Sequence, residues 1–189
     1  MTRIPPTPRE IWQEFHWAFF VDVQGLILCM RRLALMLDQH DLKGAEQELH
    51  SATVLMRASA SAMVLAGSFP KADYENTIRP SMTQPNVASD NFSGLMSWEH
   101  GVLVNLWREL TPRFATLPDA LHDAHREFAN AYGDMAEGHV HVCAKFVGRD
   151  GSSLRFGDRE ALKSLENFGR TRRAAIDPEK RPARCPVVP

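Results

Sequence analysis

The sequence predicts an all-α fold, a bundle of four main helices followed by a short C-terminal helix over about residues 158–173. Apolar residues recur at helical spacing over long stretches, capping residues precede those stretches, and turn-forming residues separate them. We expect one helical domain over residues 1–175 and a proline-rich arm over residues 176–189. A chain of 189 residues is long enough to bury one sizeable core.

The first helix is predicted to begin after Thr7 and to end near Asp38. Thr7 is a suitable N-cap, because Pro8 takes the first helical position and Glu10 the third. The helix is apolar on nearly all of its faces up to Arg31 and Arg32, which is typical of a helix packed on several sides. From this pattern we expect a homodimer. His16 lies on this helix, either as a core histidine bonded to a neighbour or as a polar group in an active pocket.

A second helix is expected from about Leu42 to Ala66, rich in small and apolar residues. From residue 70 to residue 97 the sequence changes character, with prolines and many Asn, Ser and Thr residues. We predict a long ordered loop between helices 2 and 3, with one helical turn around residues 73–78.

Arg79 lies in this predicted loop, directly before Pro80, and an extended backbone is expected there. Its guanidinium suits bidentate capture of a carboxylate from a substrate or of a cofactor propionate. The equal alternative is a structural arginine that bonds loop carbonyls.

The third helix is predicted over residues 98–110, capped by Ser97 and closed by Pro112. His100 and Trp107 are seven residues apart and fall on its buried stripe. His100 alone is most simply a structural histidine, so any role depends on what other helices bring to it.

The fourth helix is predicted over residues 118–147. Its first turns carry His122 and His125, which we assign to solvent, and its end becomes apolar. His139 and Cys143 lie four residues apart near that end, so both side chains rise from one face of the helix. Such a pair can coordinate a metal through the imidazole and reach a neighbouring atom with the thiol. The alternative is a buried histidine beside an inert core cysteine.

The composition excludes several classes of protein. The formal net charge is -1, so no imbalance points to nucleic acid or to an acidic membrane surface. The three cysteines are far apart and do not form a disulfide framework. We see no signal peptide and no run of about 18 apolar residues, so we expect no transmembrane helix and a cytoplasmic protein.

The histidines on helices 3 and 4 favour an iron cofactor. His100 and His139 are separated by 38 residues, a span that one helix, a turn and most of an antiparallel helix fill. The two imidazoles would then face one another across a planar ring. With the thiol of Cys143 able to add to a vinyl group and Arg79 available for an anionic group, this set suits haem.

The pattern His100…His139-Val140-His141-Val142-Cys143 resembles the single-cysteine haem c motif of the 3-methyl-tyrosine hydroxylases. That group belongs to the tryptophan 2,3-dioxygenase superfamily, all-helical haem proteins that act on aromatic amino acids. Residues 78–81 look like the loop that precedes the ligand helix there. The resemblance covers about residues 79–147 and implies His100 and His139 as iron ligands and Cys143 as the thioether link. The haem would be c-type, or b-type if the link is absent.

The resemblance implies a haem-dependent oxygenase or hydroxylase that uses O2 or peroxide on an aromatic, amino-acid-like substrate. His16 is the expected distal acid or base, Arg79 the carboxylate anchor and Trp107 a cofactor contact. The chain is much shorter than members of that family, so a second subunit would complete the substrate pocket. Two alternatives stay open, a bis-histidine haem redox carrier or sensor and a helical interaction module without a cofactor.

Overall fold

The computed structural model describes residues 5–87, 97–148 and 160–178, and these ranges contain helices and no β-strand. The all-α prediction is confirmed. The five main helices are α1 (Pro8–Asp38), α2 (Leu42–Ala66), α3 (Trp98–Phe114), α4 (His122–Val147) and α5 (Ala161–Ile176).

The first two helices begin where their capping residues stand. Thr7 Oγ1 accepts a hydrogen bond from the backbone N–H of Glu10 at 3.3 Å, and the Glu10 carboxylate accepts one from the backbone N–H of Thr7 at 2.7 Å. This is the predicted capping box. After a turn in which His40 adopts a φ of 57°, the carboxylate of Asp41 caps α2 by accepting from Gly44 N–H at 2.9 Å. The short turn makes α1 and α2 an antiparallel hairpin.

The helices form a closed ring around one core. Going around the ring in space, α2 packs on α1, α1 on α3, α3 on α5, α5 on α4, and α4 back on α2. Each helix therefore turns one apolar stripe to the centre, and each fully buried large apolar side chain stabilises the fold by about 1.5–3 kcal/mol. The largest of these side chains are Leu26, Met30, Leu33, Leu49, Met56, Trp107, Leu121, Phe128 and Tyr132.

The third helix does not close at Pro112 as predicted, and it continues to Phe114 with the proline inside it. The ring of Phe114 is almost fully buried in the core. Its burial offsets the backbone hydrogen bond that a proline within a helix removes. Nearby, Thr111 Oγ1 donates to the backbone carbonyl of Ala175 at 2.9 Å and ties α3 to α5.

The predicted loop after α2 is largely helical in its first part. Residues 71–81 form a helical turn, a π-helix over Tyr74–Ile78 and a second helical turn over Arg79–Ser81, which we call the 71–81 segment. The extended backbone expected at Arg79 is therefore wrong, since its φ is -56° and its ψ is -44°. Burial of Tyr74 and Ile78, four residues apart, outweighs the local preference of a residue before proline. Residues 88–96 of the predicted loop lie outside the described residues.

The last helix extends to Ile176, three residues beyond the predicted end, because Ile176 is fully buried in the core. A ring nitrogen of His125 lies 2.8 Å from the Ile176 carbonyl, and the His125 ring stacks on Phe114 at 4.9 Å. The assignment of His125 to solvent is therefore wrong. Residues 179–189 of the predicted arm lie outside the described residues.

One helix of the described part of the chain, α2, is long and apolar enough to span a membrane by length and composition. Core helices of globular proteins share this property, and α2 packs along α1 and α4.

Candidate functional site

Four helices each contribute one nitrogen-bearing side chain to one end of the bundle. They are His16 on α1, His100 on α3, His139 on α4 and Arg172 on α5. The charges of Arg172 and His139 lower the pKa of His100, and those of Arg172 and His16 lower the pKa of His139. His139 is thus close enough to interact with each of the other three groups. The structure brings together the three predicted histidines and adds an arginine that sequence reasoning missed.

His100 is the most unusual of these residues. Its side chain is 6% exposed, and neither ring nitrogen has a hydrogen-bond partner among the described residues. Burial, with a further contribution from Arg172, lowers its pKa to about 3, so the imidazole is neutral at pH 7. A buried polar group without a partner costs about 1–3 kcal/mol. Native proteins seldom retain that cost without a function for the group, and a ligand on a ring nitrogen is one such function.

His139 and Cys143 lie one turn apart on α4, as predicted, and both are partly buried. Burial lowers the pKa of His139 to about 4 and raises the pKa of the Cys143 thiol. The imidazole is therefore neutral and the thiol protonated at pH 7. Cys143 also affects the pKa of Tyr74, which places the thiol beside the 71–81 segment. One stripe of α4 thus connects the histidine cluster to that segment.

His16 is held in a defined tautomer. Its Nδ1 lies 2.7 Å from the backbone carbonyl of Trp12, and the two rings lie 4.0 Å apart between centroids, tilted by 36°. A carbonyl can only accept, so Nδ1 carries the hydrogen and Nε2 carries a lone pair. Burial lowers the pKa of His16, which keeps that lone pair free at pH 7.

Aromatic rings line the site where Cys143 lies. Tyr74 stacks on Phe146 at 4.5 Å, Phe69 stacks on Phe146 at 5.2 Å, and Trp12 lies 6.2 Å from Tyr74. π-Helical turns such as the one that carries Tyr74 occur frequently at functional sites. The ring stack gives this side of the site an apolar, flat-sided wall.

Residues 4–124 match the model of a known family, described as SfmD 3-methyl-L-tyrosine peroxygenase. The chain belongs to this family. The 3-methyl-L-tyrosine peroxygenase of Streptomyces lavendulae is 30% identical to it over 175 residues, which is 87% of this chain and 46% of that protein. The chain thus spans about half the length of the curated relative it matches. No solved structure matches the chain.

The family match includes His16, Arg79, His100 and Trp107. His139 and Cys143 lie beyond it, but an alignment that takes in 87% of 189 residues must extend past Cys143. The predicted resemblance to the 3-methyl-tyrosine hydroxylases is therefore confirmed as a family relationship. Membership of the wider tryptophan 2,3-dioxygenase superfamily stays a prediction.

Arg79 and Trp107 are the two remaining residues that the sequence predicted for the site. Arg79 is half-buried, and its guanidinium has no hydrogen bond or ion pair within the described ranges. Its charge lowers the pKa of Tyr74, which burial raises more strongly. Trp107 lies two turns along α3 from His100, 2% exposed, with its ring edge-to-face against Tyr132 at 5.4 Å. Arg79 is thus free to meet an anion, and Trp107 belongs to the core that supports His100.

Arg172 is the functional candidate that the sequence analysis missed. Its guanidinium lies 5.5 Å from the centroid of the Phe168 ring and bonds the side chain of Tyr132. These contacts hold the positive charge beside His100 and His139. A signal was present, because Leu165, Phe168 and Arg172 follow one stripe of α5 at helical spacing. An arginine that continues an apolar stripe is either snorkelling to solvent or paired inside.

Proposed function

We propose that the chain is a haem-dependent oxygenase or hydroxylase that uses O2 or peroxide on an aromatic, amino-acid-like substrate. The observation that carries this proposal is His100, a neutral imidazole buried at a cluster of histidines with both ring nitrogens unpartnered among the described residues. Iron is a natural partner for such a nitrogen. The family relationship supports the proposal, because the family is named for a peroxygenase of 3-methyl-L-tyrosine.

The residues present fit haem. Two neutral imidazoles, His100 and His139, come from neighbouring parts of α3 and α4, and an aromatic wall adjoins them. Arg172 supplies positive charge for the propionates, and Arg79 supplies it either for a propionate or for the carboxylate of the substrate. Within the described ranges no three His, Cys, Asp or Glu side chains gather as a metal site of their own. Haem would not require such a group, because the porphyrin itself would hold the iron and the protein would need to add only one or two ligands.

In this proposal His100 and His139 hold the iron, and Cys143 attaches the porphyrin as haem c. Without that bond the cofactor would be haem b, held by the histidines and by packing. Trp107 supports the ligand helix from the core side. When bound, haem supplies the oxidising chemistry that O2 or peroxide drives, and the protein determines what reaches it.

The chain's own residues would bind and orient the substrate. His16 can accept a proton at Nε2, because its Nδ1–H is already committed to the Trp12 carbonyl. A phenol of the substrate is a suitable proton donor to that atom. Arg79, half-buried beside Tyr74, can hold a carboxylate in a bidentate pair. The ring stack of Tyr74 and Phe146 excludes water and accepts an aromatic ring.

The closeness of His100 and His139 also favours a second candidate function. If both imidazoles stay on the iron, no position is open for O2, peroxide or substrate, and the protein is a redox carrier or sensor. Binding of CO to the reduced protein separates the two functions. Rapid CO binding indicates an open or displaceable position, and failure to bind CO indicates a bis-histidine carrier.

The proposal is tested by an absorption spectrum of the purified protein supplied with haem, repeated after acid–acetone extraction. We expect a Soret band that resists extraction in the native chain and becomes extractable in Cys143→Ala. Cys29→Ala is the matched control, because Cys29 is a buried core thiol on α1 and should leave the band resistant. If no Soret band is present after haem has been added, the protein does not bind haem and the proposal is wrong.

Turnover tests the oxygenase function separately. We expect a peroxide-dependent mass increase of one oxygen atom with 3-methyl-L-tyrosine or L-tyrosine as substrate, and loss of most of that activity in His16→Gln and Arg79→Gln. Arg79→Gln should raise KM more than it lowers kcat, because the carboxylate contact is present in both ground and transition state. If the haem-loaded chain oxidises neither substrate with peroxide or with O2, the oxygenase function is excluded and the redox carrier or sensor remains.

A further inference from the structure

The first helix exposes an apolar seam that the described residues of the chain leave uncovered. Trp17, Val21, Leu28 and Leu35 are 65%, 60%, 59% and 49% exposed. They fall within about 40° of one another around the helix axis at 100° per residue. Exposed apolar residues scattered singly need no explanation, but a contiguous row of large ones marks an interaction surface. This seam lies on the side of α1 opposite its buried stripe.

The seam has heptad spacing. Val21, Leu28 and Leu35 follow one another at intervals of seven residues. Trp17, Gln24 and Arg31 form a second series with the same interval, which alternates with the first along the helix. These are the a and d positions of a helix that pairs with another helix. Glu14 takes the a position one heptad before Val21, so the seam has an acidic residue near one end and a basic residue near the other.

We propose that this seam pairs antiparallel with the same seam of a second copy of the chain, about a two-fold axis between residues 22 and 23. In that register Trp17 meets Leu28 of the second copy, Val21 meets Gln24, and Glu14 meets Arg31. Each contact occurs twice, as a two-fold interface requires. The proposal is independent of haem and of the oxygenase function.

Charge selects this pairing over the alternatives. Glu14 and Arg31 are exposed and have no ion pair within the part of the chain that the structure describes. A parallel pairing would oppose each charge to its own copy. An antiparallel pairing shifted by one heptad towards the C-terminus would place Glu14 against Asp38 and Val21 against Arg31. The proposed register alone of these three joins opposite charges, and it sets Trp17 against Leu28 and Val21 against the uncharged Gln24, with Leu35 meeting Glu10 only at the ends of the seam.

The size of the surface is consistent with a homodimer. From Glu14 to Arg31 the seam is about 26 Å long at 1.5 Å per residue. A stable interface buries about 800 Å² on each partner, more than one short seam supplies. The adjacent helix α2, which touches α1 where Gly25 meets Leu55, also exposes Val54 and Leu65. We therefore expect the whole α1–α2 hairpin to lie in the interface.

The test is a charge-reversal cycle on the full-length chain, with mass measured by sedimentation equilibrium over a range of concentrations. The native chain should have twice the monomer mass. Glu14→Arg and Arg31→Glu should each weaken dimerisation by about tenfold or more, because each puts like charges together twice. The double variant should recover most of the native affinity, since the pairs are restored with reversed sign. Arg108→Glu, on the exposed side of α3, is the matched control and should leave the mass unchanged.

Each other outcome overturns the proposal. A native chain that stays monomeric at about 100 μM, roughly a hundredfold above a micromolar dissociation constant, has no such interface. A dimer that both single reversals leave intact uses another surface. Single effects without recovery in the double variant exclude this register. A chain that binds phosphatidylcholine vesicles through Trp17, and does not dimerise in their absence, would assign the seam to a lipid surface.

Discussion

His139 on α4 lies close enough to His100 on α3 that a positive charge on the first imidazole lowers the pKa of the second. Burial is the main cause of both lowered pKa values, and Arg172 contributes to each. The haem-free protein therefore keeps two neutral imidazoles within electrostatic range of each other at pH 7, where an ordinary histidine pair would begin to take up protons. Preorganised neutral nitrogens suit metal ligation, since no proton has to leave first.

This pair predicts that the haem-free protein loses stability in mild acid. The pKa values of His100 and His139 are about 3 and about 4 in the folded protein, against 6.5 for an ordinary histidine. Between these values the unfolded chain binds more protons, so the stability is complete above pH 6.5 and falls as the pH drops towards 4. At about 1.4 kcal/mol per pKa unit, the loss is on the order of a few kcal/mol.

Urea denaturation of the haem-free protein between pH 7.5 and pH 4.5 measures this loss. The variant with His100→Leu and His139→Leu should show a much flatter pH dependence. His141→Leu is the control, since His141 is exposed on the same helix and its replacement should leave the slope unchanged. Equal slopes in the native chain and the double variant would contradict the prediction.

A second prediction is that His100→Leu stabilises the haem-free protein while it abolishes haem binding. Leucine is similar in size and removes two nitrogens that are buried without partners in the described structure. The free energy of unfolding at pH 7 should rise by about 1–3 kcal/mol, the cost of an unsatisfied buried group. A core histidine with a structural role would show the opposite sign. Denaturation and a haem titration on the same two proteins therefore distinguish the functional interpretation from the structural one.

The sequence predicted the long helices because their signals are local. Thr7 with Glu10, Asp41 and Ser97 mark three helix starts, and the apolar spacing carries each helix onwards. The prediction from sequence failed where burial against other parts of the fold determined the local secondary structure. Pro112 does not end α3 because Phe114 is buried beyond it, and the 71–81 segment is helical because Tyr74 stacks on Phe146.

For the candidate site too, patterns within one helix were predictable from the sequence and contacts between helices were not. His139 with Cys143 is a pattern within one helix, and the sequence displays it directly. The spacing to His100 was readable only together with the expectation of an antiparallel helix pair. Arg172 acts on both histidines from a helix about 30 residues further along the chain, and no local pattern states which neighbour an arginine will face. A role for such a residue becomes visible only once the ring of helices is closed.

A third prediction concerns that arginine. Arg172→Gln should raise the pKa values of His100 and His139, because the positive charge that lowers them is removed, and both should stay below 6.5 because burial remains the larger cause. NMR titration of the histidine Cε1 protons measures both shifts in the haem-free protein. Arg172→Lys keeps the charge and should leave the pKa values close to those of the native chain. A shift of equal size in both variants would mean that packing on Phe168, and not charge, is what Arg172 supplies.

The fourth prediction tests how closely α4 must pack beside the C-terminal end of α2. A Cβ at Gly67 would lie 2.8 Å from a methyl carbon of Val142 and 3.2 Å from the ring of Phe146, on the turn of α4 next to Cys143. Gly67→Ala should therefore destabilise the protein by about 1–3 kcal/mol, as overpacking typically does, and shift the thiol. Gly138→Ala is the matched control on α4, because its Cβ would meet only Val64 at 3.6 Å. That change should stabilise the helix by up to about 1 kcal/mol.

If the haem proposal holds, Gly67→Ala should also lower the fraction of haem that resists acid–acetone extraction, while Gly138→Ala leaves it unchanged. Equal extractability in the two variants would show that attachment tolerates movement of this turn.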